Sequence, residues 1–460
     1  MKSFTDIYNA GKNTESKEVS RRDFMKFSAT TAAVLGLAPA CLLTSCYQTD
    51  EGPDPFNNGT DERNLIVVIS DLHMGADLTY AEINTNLVPL KHFLERIETS
   101  SNVKELVVNG DLLDEWFVPA TVDTYEGYNQ FDFVERIAAA NKDVIAVFNR
   151  IIFAGKITVT YVPGNHDLTI TAANVENILP GIVQARDAGL LGLGTYSPTG
   201  CPQVAIEHGH RYNFFCAPDS ISNQVAAPGT IMPPGYFFTR IAALHVVQKC
   251  TNGADVVPTV TDPLTTVSQN LLYKYWQQWK WALGVFSIKN LFSDSIIVTN
   301  VNGFTATYSV NDLLPSQPGG VGPISVNLYN GIQDNWAARC VLNNVPVPLD
   351  AGNAIDKSAS AAETDRMSSV QYFMNAGSDK RIVVFGHSHV PTLFSSKNYK
   401  DEKTIYVNSG TWIDHNPNRT TTNFVVITPQ SSEESSQTSV VLYNFENEYV
   451  TEMARESVRV

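Results

Sequence analysis

Five short apolar runs, each ending in a cluster of polar residues, set the pattern of this chain. Leu65–Ile69 stops at Ser70-Asp71-Leu72-His73, Leu106–Val108 at Asn109-Gly110-Asp111, and Ile157–Val162 at Pro163-Gly164-Asn165-His166-Asp167. Gln203–Ile206 runs into Glu207-His208-Gly209-His210, and Arg381–Phe385 into Gly386-His387-Ser388-His389. Leu65–Ile69 is a continuous apolar run, suited to a buried strand of the parallel kind, and the β-branched run Ile157–Val162 also reads as a strand. Between the first two, Leu90, Phe93, Leu94 and Ile97 recur at helical spacing with Pro89 suited to a first turn, and His92 falls off the stripe toward solvent. Before the third run, one helical pattern passes through Val134, Ile137, Val144, Phe148, Ile151 and Ile152 and stops at Gly155. The order β-α-β-α-β predicts an α/β fold.

From about 215 to 375 the alternation lapses into Pro, Gly, Asn and aromatic residues. The clearest helix there sets Leu272, Tyr275, Trp276, Trp279, Leu283 and Phe286 on one face, which reads as a core stripe rather than a substrate platform. The expected organisation is therefore a core over 63–214 and 376–460, interrupted by an insertion or cap over 215–375. Further strands are expected at Thr404–Val407, Asn423–Ile427 and Ser439–Tyr443, followed by a featureless tail, and Asn408–Trp412 is placed to border the site.

Residues 1–46 read as a targeting segment. Ser20-Arg21-Arg22-Asp23-Phe24-Met25-Lys26 precedes an apolar, small-residue run from Thr30 to Leu43 that is too short for a lasting membrane span. The string resembles a twin-arginine export signal, and Leu43-Thr44-Ser45-Cys46 resembles a bacterial lipobox whose Cys becomes lipidated. The implied location is the cell envelope, with the membrane reached through a lipid on Cys46. Export after folding would let a metal be chosen in the cytoplasm. Residues 47–62, acidic and rich in Pro, Gly and Asn, are expected to form a flexible tether.

Composition changes the picture in two places. The 460 residues carry a formal net charge of -15, and the first 45 hold six Lys/Arg against four Asp/Glu, leaving -17 on the rest. So acidic a surface argues against nucleic acid and anionic membranes as partners, though not against a small phosphate compound bound through metals. Cys201, Cys216, Cys250 and Cys340 remain beyond the lipobox; they can pair in three ways or serve as buried apolar residues.

In an open α/β sheet the residues just beyond the strand carboxyl ends line one crevice, so the five clusters should converge. Six of the nine histidines sit in them. Histidine and carboxylate without cysteine suit Mn, Fe or Zn, and a carboxylate can bridge two cations about 3.5–4 Å apart. No H-E-x-x-H pair supports a metallopeptidase. In this order, D-x-H, G-D-x-x-D, G-N-H-D, H-G-H and G-H-x-H resemble the calcineurin-like metallophosphoesterase family.

That resemblance implies an αββα sandwich carrying a large insertion, and two divalent metal ions. Asp71, His73 and His389 would hold the first ion, Asn165, His208 and His387 the second, and Asp111 would bridge them. His166 would lie beside the phosphate and protonate the leaving oxygen, with Asp167 orienting its ring and Asp114 behind the ligands. His210 could exchange with His208, and His415 is a further candidate for substrate contact. The implied activity is hydrolysis of small phosphomonoesters or phosphodiesters by metal-bound hydroxide. The alternative is a catalytically silent, lipid-anchored binding protein on the same fold. Leu112-Leu113 stands where purple acid phosphatases carry a Tyr ligand, and His166 where lipid A precursor hydrolases carry Arg; both departures point away from those branches.

Overall fold

In the computed structural model the described residues are 54–261, 266–417, 419–431 and 436–460. The export signal, the lipobox and the first part of the tether lie outside them. The apolar runs fold as strands. β1 (Leu65–Ile69), α1 (Leu87–Thr99), β2 (Val103–Asn109), α2 (Gln130–Ala140), α3 (Lys142–Ala154) and β3 (Thr158–Val162) follow one another, then α4 (Ala172–Ile178), β4 (Val183–Gln184) and β5 (Val204–Ile206). Next come α5 (Pro234–Gln248), α6 (Val267–Val285), a small hairpin of β6 (Ile297–Val298) and β7 (Thr307–Tyr308), and α7 (Val310–Leu313), α8 (Ile332–Leu342), α9 (Ala351–Asp356) and α10 (Ala361–Ser368). β8 (Ile382–Phe385), β9 (Thr392–Lys397), β10 (Lys403–Asn408), β11 (Asn423–Thr428), β12 (Thr438–Glu446) and β13 (Tyr449–Val458) close the chain.

Two sheets result, one ordered β13-β12-β11-β1-β2-β3-β4 and the other β5-β8-β10-β9. β1 to β4 run parallel, as do β5, β8 and β10. Successive side chains of a strand point to opposite faces, and the apolar runs use both. Ile66, Val68, Val107 and Val162 meet Ile206, Val384, Ile405 and Val407 in a core between the sheets. Val67, Leu106, Val108 and Val159 share a second core with Leu90, Phe93, Val144 and Phe148 of the helices. On the far face of the smaller sheet, Ala205, Val383, Phe385 and Tyr406 pack with Tyr212, Met367 and Phe373. The architecture is the α/β, αββα sandwich.

Several expectations need correction. The single helix expected through Val134–Ile152 breaks at Asn141, whose side chain donates to the carbonyls of Gly75 (2.9 Å) and Ile137 (2.8 Å). The tether expected over 47–62 is packed at Phe56, which is buried edge-on against Phe93 with ring centroids 5.6 Å apart. The tail forms β13, an edge strand paired along β12 from Val458↔Thr438 to Tyr449↔Glu446. Its exposed Glu452 and Arg455 discourage further pairing. All four described cysteines are free, and Cys216, Cys250 and Cys340 are buried. The aromatic stripe of α6, by contrast, is core as expected, with Trp279 stacked on Phe238 at 3.9 Å between centroids.

Asp365 on α10 accepts a hydrogen bond from the Tyr406 hydroxyl at 2.6 Å, and burial pushes its carboxyl up to about 7. The folded chain thus keeps a proton that an unfolded chain releases near pH 4. The stabilisation is full below that point and lost as pH rises through about 7. Replacing Asp365 with Asn should flatten the fall of Tm between pH 4 and 7.5; a slope as steep as the parent's would assign it to other groups.

Candidate metal centre

All five polar clusters lie at the carboxyl ends of β1, β2, β3, β5 and β8, and backbone hydrogen bonds lace their loops together. Asp71 N–H donates to Gly110 O (3.1 Å), His73 N–H to Asp111 O (2.8 Å), and Gly386 N–H to His208 O (3.2 Å). The end of β10 and the loop beyond it join them: Trp412 N–H donates to Asp71 O at 3.0 Å, and Asn408 Nδ2 to Gly386 O at 2.7 Å. Asp71, His73, Asp111, His387 and His389 all adopt left-handed backbone, with φ of 55°, 50°, 51°, 64° and 55°. That conformation costs an L-residue on the order of 1–3 kcal/mol and concentrates at functional sites. At both D-x-H and H-x-H it recurs two residues apart. Close approach completes the geometry. A Cβ on Gly164 would sit 2.2 Å from Asp111 Oδ1, and one on Gly386 2.7 Å from Asp71 Oδ2.

Asp71 Oδ1 lies 3.0 Å from His389 Nε2, and His389 Nε2 lies 3.2 Å from His73 Nε2. Asp111 Oδ2 stands 3.0 Å from His208 Nε2 and 3.6 Å from His73 Nε2. His208 Nε2 is also 3.2 Å from Asn165 Oδ1, while its Nδ1 rests 2.8 Å from the Asn109 carbonyl. The His387 ring stands against His208 with centroids 5.3 Å apart. Asp71, His73, Asp111 and His389 each offer a ligand atom, all within 4.8 Å of one another and all buried. Asp111 therefore lies between two donor groups.

His166 lies alongside. Its Nδ1 is 2.9 Å from Asp114 Oδ1, and the other Asp114 oxygen lies 2.9 Å from His73 Nδ1. Trp116 stacks on the ring at 5.1 Å and 29°. Asp167, expected to orient that ring, is used elsewhere: its carboxylate accepts the N–H groups of Gly164 (2.6 Å) and Leu112 (2.8 Å). It braces two loops, and Asp114 orients the imidazole. His210 turns away, with Nε2 2.9 Å from the Gly192 carbonyl. His415 is exposed, although its neighbour Asn416 donates to His389 O at 2.7 Å.

Two features escaped the sequence reading. Glu82 is buried in the loop before α1, with Oε2 3.1 Å from His73 Nδ1, and it forms a second cluster with His73, Asp114 and His166. No strand end or motif marks it. Arg240 of α5 is fully buried and donates to the carbonyls of Val118 (2.6 Å), Val122 (2.5 Å) and Val298 (2.9 Å). It fixes the segment that carries Trp116.

The electrostatics fit a cation. Asp71, Glu82, Asp111, Asp114 and Asp167 are all buried, and among the described residues no Lys or Arg forms an ion pair with them. Burial opposes ionisation of Asp71, yet facing His389 and His208 hold it below the usual range. Burial likewise opposes Asp111, which His208 and His166 hold well below it. The converse effect raises His73 well above its ordinary value and His208 to about 9 against the pull of burial. Glu82 is pushed by burial up to about 7. Carboxylates, imidazoles and one amide oxygen make a donor set suited to divalent metals.

An αββα sandwich that gathers such donors beyond the carboxyl ends of its parallel strands has the makings of a metal-dependent hydrolase. The model of the calcineurin-like phosphoesterase family matches residues 65–227, which places this part of the chain in that family. Divalent metals serve that family, and the matched stretch together with the buried His/Asp cluster points to a metal-dependent phosphoesterase. The twin-arginine translocation pathway signal sequence matches residues 18–38, a signal for export across the membrane. No curated protein matches the chain.

Facing carboxylates favour the protonated forms of His73 and His208 against the pull of burial, and a cation that uses either ring must displace that proton. Affinity for Mn²⁺ or Zn²⁺ should therefore rise from pH 6 to 8, with proton release seen by calorimetry in buffers of different ionisation enthalpy. Uptake without proton release would remove both imidazoles from the ligand set.

Proposed function

We propose that the protein is a binuclear phosphoesterase of the cell envelope, held to the membrane by a lipid on Cys46 and acting on small phosphomonoesters or phosphodiesters. The position of the Asp111 carboxylate between the two donor groups, with His166 beside it, carries this reading. Asp71, His73 and His389 would hold one cation, and Asn165, His208 and His387 the other, with Asp111 shared. Bound there, two divalent cations would neutralise phosphoryl oxygens and lower the pKa of a water. The residues around them prepare the rest.

His166 has its Nδ1 committed to Asp114, leaving Nε2 as the nitrogen that can pass a proton to the leaving oxygen as the P–O bond breaks. Burial works against a charged ring, but the adjacent Asp114 carboxylate raises His166 above its ordinary value, which favours the protonated form this role needs. Trp116 on one face limits the ring's rotation. Residues 215–375 would form the insertion that caps the site and selects the substrate.

Substituting Asp111→Asn should abolish most phosphate release and lower bound metal by elemental analysis; normal turnover and metal content in that variant would sink the assignment. His166→Asn should keep its metal but lose roughly 10²-fold or more in kcat, most for esters with poor leaving groups. A metal-free His166→Asn protein would make this residue a ligand instead. If the metal-loaded wild-type chain releases no phosphate from monoesters or diesters, the silent binding protein is the better description.

A further inference from the structure

Behind the first group of donors lies a carboxylate that no motif assigns. Glu82 is buried, with Oε2 3.1 Å from His73 Nδ1. That nitrogen is opposite the one turned toward Asp71, Asp111 and His389. Asp114 Oδ2 shares it at 2.9 Å. Neither Glu82 oxygen has a hydrogen-bond partner among the described residues. A buried carboxylate without donors of its own is costly, and a cation reached through the His73 ring would offset that cost. Carboxylates behind a ligating imidazole also fix its orientation and strengthen it as a ligand.

The backbone that carries Glu82 is held from the C-terminal part of the chain. Asp414 accepts the N–H groups of Asn84 (3.0 Å) and Asn86 (2.9 Å) on Oδ1 and of Thr85 (3.0 Å) on Oδ2. It thereby caps α1 from outside, where an acid is favoured by the helix dipole. The Asn86 side chain is turned instead to the carbonyls of Trp412 (3.2 Å) and Ile413 (2.8 Å). The Asp414 N–H returns to Glu82 O at 2.9 Å, so segments 82–86 and 411–416 form one clasp. Its other contacts reach Asp71 and His389. Thr411 Oγ1 donates to Asp71 O at 3.0 Å, beside the Trp412 N–H, and Asn416 Nδ2 donates to His389 O at 2.7 Å. The clasp thus touches all three residues proposed for the first cation alone. Among the described residues no hydrogen bond runs from it to Asn165, His208 or His387, and the His208 ring rests on the Asn109 carbonyl.

We propose that Glu82 and Asp414 are positioning residues for the first cation only: Glu82 sets the His73 ring, and Asp414 holds the Glu82 segment against the loops of Asp71 and His389. The inference rests on the two-cation reading of the centre. It divides that centre into one subsite braced by the clasp and one braced by the strand ends, so that the first can weaken without the second.

The test titrates metal-free wild-type protein, Glu82→Gln and Asp414→Ala with Mn²⁺ by calorimetry, with elemental analysis of the products. The wild type should take up two equivalents. Each variant should bind one of them roughly 10–100-fold more weakly and the other near its parental affinity. A general loosening of the fold would weaken both alike. Glu82→Gln keeps the size of the side chain and decides the matter if Asp414→Ala does not fold. Amide exchange at Asn84, Thr85 and Asn86 should quicken in Asp414→Ala and not in Glu82→Gln, which separates an opened clasp from a lost charge. Variants that hold both equivalents as tightly as the parent, or lose both together, overturn the proposal. So does a third equivalent that only Glu82→Gln loses, which would make Glu82 a ligand in its own right. A wild type that binds a single cation, weakened in both variants, would uphold the clasp and reject the two-cation reading.

Discussion

The centre depends on one buried carboxylate. Asp111 accepts the His166 N–H through Oδ1 at 2.7 Å and faces His208 and His73 through Oδ2. Its backbone carbonyl takes the N–H groups of Leu72 and His73. One residue thereby joins the loops after β1, β2, β3 and β5, and so joins the two sheets. An ionised carboxylate away from water is tolerable only with partners on every side. The close packing of Gly164 and the convergence of three imidazoles are what that requirement looks like in this fold.

The strained backbone follows from the same constraint. Side chains that leave successive strand ends would ordinarily fan apart. Left-handed φ at Asp71, His73, Asp111, His387 and His389 turns them inward. The energy is offset by the dry core between the sheets, where β1 and β8 are buried along their whole length. A rigid scaffold and a strained rim are two halves of one arrangement.

Much of this was legible along the chain. Short apolar, β-branched runs identified β1, β2, β3, β5 and β8 because buried parallel strands carry few polar residues, and the residues just beyond them named the centre. What escaped has physical causes. β13 is an edge strand, so its exposed polar and charged residues resemble a solvated tail. Asn141 breaks a helix by bonding to Gly75, a partner 66 residues away. Phe56 sits in an acidic, Pro-rich stretch, and only the ring of Phe93 shows why it is buried. Glu82 and the division of work between Asp114 and Asp167 are matters of where side chains point after folding. Spacing within a motif does not encode that.

The 3.2 Å approach of His73 and His389 spans 316 residues of sequence. The two rings meet because β1 and β8 each sit in their sheets, so the pair belongs to the folded chain and not to either strand alone. A cation gripping these two imidazoles would bind the finished chain alone, and by linkage would stabilise only that state. Occupancy of the centre would then record that folding is complete, a certificate read before catalysis begins.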